Sequence, residues 1–339
     1  MSDKPGLLVD SGSARLVEQV KSLPDAAHFE ILSYVGEGEE AVARLMPQAE
    51  FVLIYQHRLS GDMIRSAPQL RFIQKFGLNC KNIDVSTAHQ LGVAIATMPL
   101  LRNVTVAEHA FGLMIACARK FVAGHLSVTN AVYREMGIEP IRTAQRKIKS
   151  NWPKIEGVSE LMDASVGIIG LGDIGMEVAK RCRVFGMNVF YFQRERHSPD
   201  VEEQFEVRFL PFEELLEAVD YLVLVLPHTT ETEGMIGPAE FVRMKPTATL
   251  INVARGAIVD EDALATALRT GEIAMAGLDV YREEPLPESS PLLELPNVVF
   301  TPHTAGGSYR SHALDRPAAI ANILRFLRGE PVQGLVKPI

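Results

Sequence analysis

The sequence predicts an α/β protein made of two doubly wound units, each a parallel sheet with helices on both faces. Short, continuous apolar runs alternate with helix-like segments along nearly all of its 339 residues. Runs without a period of two are strands buried on both faces, which is how parallel sheets read. The runs also fall into two series, and a chain of this length holds about two domains of ~150 residues.

The first series is Gly6–Asp10, Phe51–Tyr55, Phe72–Phe76 and Val93–Thr97. The second is Val166–Gly170, Val189–Phe192, Tyr221–Leu226, Thr249–Val253, Met275–Val280 and Val298–Thr301. Between them one long helical pattern runs from about Asn103 to Tyr133, with Val106, Ala110, Leu113, Met114, Cys117 and Phe121 at its apolar positions. The segment Arg134–Gly157 is polar and basic (Arg142, Arg146, Lys147, Lys149) and holds the single tryptophan, Trp152. It reads as a solvated connection, or as a loop over an active site or against a partner subunit. The last helical pattern, about Ser311–Arg328, follows the end of the second series. Its expected return to the first unit would make that unit discontinuous.

Composition excludes several functions. Thirty-four Lys and Arg against 42 Asp and Glu give a net charge of −8, which argues against a nucleic-acid partner. The cysteines Cys80, Cys117 and Cys182 are sparse and unpaired in pattern, as expected in a reducing compartment and unlike a disulfide framework or zinc site. No signal-peptide-length run and no stretch of ~20 apolar residues is present, so a cytoplasmic location away from membranes is expected.

The segment Val166-Gly-Ile-Ile-Gly-Leu-Gly-Asp-Ile-Gly175 carries a strand into Gly170, Gly172 and Gly175 at G-x-G-x-x-G spacing, and a helix follows from Met176 to Phe185. The first glycine permits a tight turn, the second lets backbone approach a pyrophosphate, and the third lets helix pack on strand. Free N–H groups at the helix start then face the phosphates. This turn, with Leu171, Asp173 and Ile174, is a dinucleotide site. The acid that would accept the ribose hydroxyl of NAD belongs at the end of the next strand, where the chain reads Gln193-Arg-Glu-Arg196. A neutral Gln193 beside Arg194 and Arg196 favours NADP over NAD, since a guanidinium can grip a 2′-phosphate. The opposing reading leaves both arginines solvated and makes Glu195 the ribose partner.

Together with this turn, Val106-Ala-Glu-His109, Asn252-Val-Ala-Arg-Gly256, Gly277-Leu-Asp-Val-Tyr-Arg-Glu-Glu-Pro285 and Thr301-Pro-His303 resemble, in order and over nearly the whole chain, the D-isomer-specific 2-hydroxyacid dehydrogenases. That family includes phosphoglycerate dehydrogenase and the glyoxylate/hydroxypyruvate reductases. The resemblance implies a Rossmann NAD(P)-binding domain at 102–303 and a flavodoxin-like, discontinuous substrate domain at 1–101 and 304–339, with the active site in a cleft between them. It implies Arg255 as the carbonyl- and carboxylate-binding cation, His303 as the acid–base group and Glu284 as its orienting carboxylate. It also implies cofactor contacts at Leu226, Pro227, Val253, Ala254 and Asp279, and backbone donors for the substrate carboxylate at Gly77 and Leu78. Glu108 and His109 are then structural, in a helix used for packing, and a homodimer is expected. His228, in Leu226-Pro-His-Thr-Thr230, departs from the apolar residue common there.

The chemistry asks for the same residue types. Reducing a 2-oxo acid needs a proton donor that titrates near neutrality, which histidine supplies, and a fixed cation to polarise the carbonyl. The nicotinamide brings the hydride, so no metal is called for. Taken singly, Arg255 could cap a helix or pair with Asp260, Glu284 could be solvated, and His303 could bond a carbonyl. Two other readings share the fold: a dinucleotide-sensing, corepressor-type protein, and a phosphite dehydrogenase-like enzyme. Formate dehydrogenases place glutamine where Glu284 stands. The substrate pocket is expected from loops near Tyr55-Gln-His57 and Leu100-Leu-Arg102, with glyoxylate or hydroxypyruvate as the substrate.

Overall fold

The computed structural model describes residues 4–10, 14–34, 38–55, 57–144, 146 and 148–337, with backbone alone at 15, 309, 311 and 312. The chain divides into two compact units, Met1–Asn103 with Ser308–Ile339, and Val104–Gly307. The boundaries expected at 101/102 and 303/304 fall at 103/104 and 307/308.

The first unit holds β1 (Gly6–Val9), β2 (Glu30–Leu32), β3 (Phe51–Ile54), β4 (Phe72–Phe76) and β5 (Ala94–Met98). They pair in the order β2-β1-β3-β4-β5, all parallel, the flavodoxin-like order. Alternate residues serve opposite faces. Leu8, Val52, Ile73 and Ile95 enter one core, while Leu7, Phe51, Leu53, Phe72 and Ala96 enter the other. This double burial is why the strands read as unbroken apolar runs. The helix Tyr309–Leu327 adds Ala319, Ile320, Ile323 and Leu324 to the second core, so the unit is discontinuous. Its buried amide, Asn322, bonds Gln74 on β4 at 2.7 Å, which satisfies two buried polar groups at once.

The second unit holds β6 (Ser165–Ile169), β7 (Asn188–Phe192), β8 (Arg208–Phe209), β9 (Tyr221–Leu224), β10 (Thr249–Asn252), β11 (Met275–Leu278) and β12 (Val298–Phe300). Their order is β12-β11-β10-β9-β6-β7-β8, a parallel Rossmann sheet with one strand beyond six. Strand order reverses between β6 and β9, which opens a crevice at their carboxyl ends. The helix Leu101–Ala118 buries Val106, Ala110, Leu113, Met114 and Cys117 on one face with Ile168, Val223 and Ile251. The helix Glu261–Thr270 covers the other face.

Three features differ from expectation. The edge strands β2 and β8, of three and two residues, are too short to leave a run in the sequence. The helix expected from Asn103 to Tyr133 breaks instead: it ends at Ala118, Lys120 takes a left-handed φ of 53°, and a second helix, Phe121–Thr129, leaves at 63° to the first. That second helix buries none of its residues, so its apolar positions had suggested a core they do not join. Arg134–Gly157 holds neither helix nor strand among its described residues, and Trp152 sits edge-on to Tyr133 at 6.1 Å. No single described helix is long and apolar enough to cross a membrane, although the bent pair Leu101–Ala118 and Phe121–Thr129 passes by length and composition.

Candidate active site

The glycine turn leaves β6 at Gly170, whose φ of +97° and 2.8 Å approach of a built Cβ to the Val225 carbonyl exclude any side chain. A Cβ on Gly175 would stand 2.3 Å from the Gly170 carbonyl, so the helix Asp173–Val184 can close on the strand only without one. Gly172 is different. A Cβ there meets nothing within 4 Å, so this glycine is not required by the protein's own packing. It keeps open a space over a helix start that has no side-chain cap, which is the cradle a pyrophosphate needs. The residues present therefore fit a dinucleotide.

The other residues expected to hold the cofactor divide by what they expose. Leu171, Val253 and Ala254 are buried in the core, so only their backbones could meet a ligand. Leu226, after β9, packs beside the Gly170 turn, and Pro227 is exposed with its carbonyl accepting the Thr232 hydroxyl at 2.9 Å. Ile174 is half-buried. Gln193 donates to the Glu195 carbonyl at 2.6 Å, and Arg194 is exposed. Arg196 departs from expectation: its guanidinium is forked onto Glu202 with two 2.8 Å bonds. These bonds, followed by burial's opposing push and the Tyr191 hydroxyl, bring Glu202 down to about 2. A guanidinium so engaged would have to exchange Glu202 for a phosphate in order to grip one. His197, which sequence reading passed over, bonds the Leu171 carbonyl at 2.8 Å and braces the glycine turn from the loop after β7.

Asp279 also differs from expectation. It is fully buried, and both carboxylate oxygens are occupied by groups of the protein: Thr301 Oγ1 at 2.6 Å, Thr304 N at 2.9 Å and Ala305 N at 2.9 Å. Burial raises its pKa, but the bonds from His109, Thr301 and these amides prevail and hold it at about 2. Oδ1 accepts from Thr301 and Thr304, and Oδ2 from Ala305.

The three residues read as catalytic leave the carboxyl ends of β10, β11 and β12, which are neighbours in the sheet. Asn252, 1% exposed, ties the first loop by accepting from Ala254 N at 3.1 Å and donating to the Arg255 carbonyl at 3.1 Å. Arg255 is exposed, with Nη1 donating to the Ala254 carbonyl at 2.6 Å. It does not pair with Asp260, which caps the helix Glu261–Thr270. Gly256 is needed for contact between loops: a Cβ would lie 1.8 Å from the Tyr281 carbonyl carbon. That contact sets the Arg255 loop against the loop that carries Glu284.

Glu284 accepts the Tyr281 amide through Oε1 at 3.1 Å and meets His303 Nδ1 through Oε2 at 2.6 Å. An ionised carboxylate only accepts, so Nδ1 carries the proton and Nε2 faces away from Glu284. Burial pushes the Glu284 carboxyl up, but the His303 and Tyr281 bonds outweigh it and hold the group below its usual value. His303 itself sits at a left-handed φ of 53°, which a side-chain-bearing residue adopts only where surrounding bonds impose it. Beside the pair lies a cavity of about 530 Å³ lined by Tyr281, Pro285, Leu286, Leu293, Phe300 and Pro302.

The first unit holds Gly77 and Leu78. Gly77 turns the chain at φ +97°, yet its amide is already given to the Met98 carbonyl at 2.8 Å, so it shapes the turn and is not a donor. Leu78 is exposed. At the β1/β3 switch of this sheet, buried Asp10 accepts the Tyr34 hydroxyl at 2.7 Å, the Tyr55 amide at 3.0 Å and the His57 ring. Gln56 lies outside the described residues. His228 is 3.8 Å from Glu233 on an exposed loop; we have no mechanistic account of it.

Residues 111–305 match the family model described as D-isomer specific 2-hydroxyacid dehydrogenase, NAD binding domain. The chain is 34% identical to a glyoxylate reductase of Korarchaeum cryptofilum over 91% of this chain and 90% of that one. It is 32% identical to a glyoxylate/hydroxypyruvate reductase B of Citrobacter koseri over 94% and 96%. Among solved structures, an NADPH-dependent glyoxylate/hydroxypyruvate reductase of Sinorhizobium meliloti aligns with TM-score 0.62 at 26% identity, over 99% of this chain and 98% of that one. With its parallel Rossmann sheet, open glycine cradle and paired carboxylate and imidazole, the chain belongs to the D-isomer-specific 2-hydroxyacid dehydrogenases and is a nicotinamide-dinucleotide oxidoreductase.

Proposed function

We propose that the protein reduces a small 2-oxo acid, glyoxylate or hydroxypyruvate, to the D-2-hydroxy acid. The observation that carries this reading is the Glu284–His303 bond at the carboxyl end of the sheet, beside the Arg255 loop. The residues of the glycine turn would hold the dinucleotide, whose chemistry here would be hydride donation to the carbonyl carbon. His303 delivers a proton from Nε2 to the carbonyl oxygen, while Nδ1–H stays with Glu284. Glu284 fixes the ring and stabilises the imidazolium that must be regenerated in each cycle. Arg255 binds the substrate carboxylate and polarises the carbonyl, with charge that cannot be titrated away. The names of the relatives support this substrate class, and nothing in them favours the corepressor or phosphite readings.

The cofactor reading is NADP in preference to NAD. It rests on the neutral Gln193 and on Arg194, because Arg196 is held by Glu202, and the Sinorhizobium relative is named for NADPH. For assembly, the reading is a homodimer. The helix Phe121–Thr129 exposes Phe121, Val122, Leu126 and Val128, and the segment after it exposes Met136 and Ile148. So much apolar surface on one arm marks an interaction surface, and a second copy is the occupant the family suggests. Three free cysteines suit the reducing cytoplasm.

Nicotinamide absorbance tests the enzyme and cofactor readings together. Purified protein is expected to oxidise NADPH on addition of glyoxylate or hydroxypyruvate. A single charge-assisted contact to the 2′-phosphate should favour NADPH over NADH by ~10-fold or more in kcat/KM. Preference for NADH would overturn the Arg194 assignment and keep the enzyme. Absence of turnover with either cofactor would overturn both.

A further inference from the structure

Glu108-His109 was read as a packing feature of the helix Leu101–Ala118, but the second of the pair reaches the loop that carries His303. His109 Nε2 lies 2.8 Å from Thr301 Oγ1 and 3.2 Å from Asp279 Oδ1. Thr301 directs its own hydroxyl proton to Asp279 Oδ1 at 2.6 Å, so its oxygen must accept from His109. Nε2 of His109 therefore carries a proton, by the donor and acceptor requirements of the chain alone. The sequence of donation runs His109 to Thr301 to Asp279.

Asp279 passes this order to the loop. Its carbonyl takes the His303 amide at 2.8 Å, and its carboxylate takes the next two amides, Thr304 and Ala305, at 2.9 Å each. Three consecutive backbone N–H groups thus converge on one buried residue. They impose the left-handed backbone at His303 and so set the direction in which its ring leaves the chain toward Glu284. Every member of this set lies within the second unit.

We propose that His109, Thr301 and Asp279 are positioning residues that fix the His303 imidazole against Glu284, with the Thr301 hydroxyl as the link between helix and loop. This rests on the reading of His303 as the proton donor. Thr301→Val removes the link at nearly constant volume, and Thr301→Ser restores the hydroxyl. His109→Gln keeps a donor at this position of the helix.

The test pairs kinetics with proton NMR of the protein labelled in its histidines, recorded without substrate. Displacement of an acid by about an ångström costs ~10- to 100-fold in rate, so Thr301→Val should lose that much in kcat with the KM for dinucleotide unchanged. The hydrogen-bonded Nδ1 proton of His303 should shift or broaden, and Thr301→Ser should recover both signals. His109→Gln should fall between wild type and Thr301→Val. A Thr301→Val protein with an unaltered His303 resonance overturns the proposal. Should the resonance move while kcat holds, the positioning stands and the role of His303 as donor fails.

Discussion

His303→Ala is expected to lower kcat by roughly 10²–10⁴, the contribution of one well-placed general acid. The KM values for dinucleotide should change little, because the glycine cradle follows β6 and the imidazole follows β12, four strands away in the sheet order. The loss should persist in single-turnover measurements, where product release has no influence. Stability should be nearly unaffected. The ring is about half exposed, and the three amides that hold the loop go to Asp279 whatever side chain residue 303 carries. Stopped-flow reduction of glyoxylate, with dinucleotide binding followed separately, checks this. Near-normal turnover would remove His303 from the chemistry.

The second large effect is expected at Arg255. Arg255→Lys keeps the charge but loses the planar fork, and a lysine cannot hold carboxylate and carbonyl oxygen together in fixed geometry. Loss of one such stabilising group costs ~10²–10³ in rate, and here the KM for the oxo acid should rise as well, since the same side chain binds the ground-state carboxylate. The fold should tolerate the change: Arg255 is exposed, and its loop is held by Asn252 and by the close seat of Gly256 on Tyr281. Steady-state kinetics over a wide range of oxo-acid concentration separates the two effects. A rise in KM with kcat intact would reduce Arg255 to a binding residue.

The parts of the site that were legible in sequence are those whose reasons are local. Gly170, Gly172 and Gly175 stand at fixed spacing within six residues, and their strand and helix flank them directly. Glu284 and His303 were found through the Glu284-Pro285 and Thr301-Pro-His303 motifs of the family the chain resembles, although nothing in the sequence brings their side chains together. What could not be read depends on distant partners. Arg196 looked free because Glu202, at the start of the next helix, gives no sign of facing it. Asp279 looked available because its acceptors are filled from Thr301, Thr304 and Ala305, which approach only once β11 and β12 pair. Gly77 looked like a donor because Met98, on the neighbouring strand, claims its amide. The break at Lys120 left no signal either: a left-handed lysine is dictated by what surrounds it, and apolar residues on an outward helix have the same spacing as those of a core. Short edge strands, β2 and β8, carry too few residues to register a pattern.

The proposed reaction is direct transfer of hydride from nicotinamide to the carbonyl carbon of a 2-oxo acid, with D configuration in the product. It is tested most directly by incubating the enzyme with hydroxypyruvate and a nicotinamide cofactor deuterated at the transferable position, then resolving the glycerate on a chiral phase and weighing it. The account predicts D-glycerate carrying one deuterium at carbon 2. L-glycerate, or glycerate without deuterium, would contradict it.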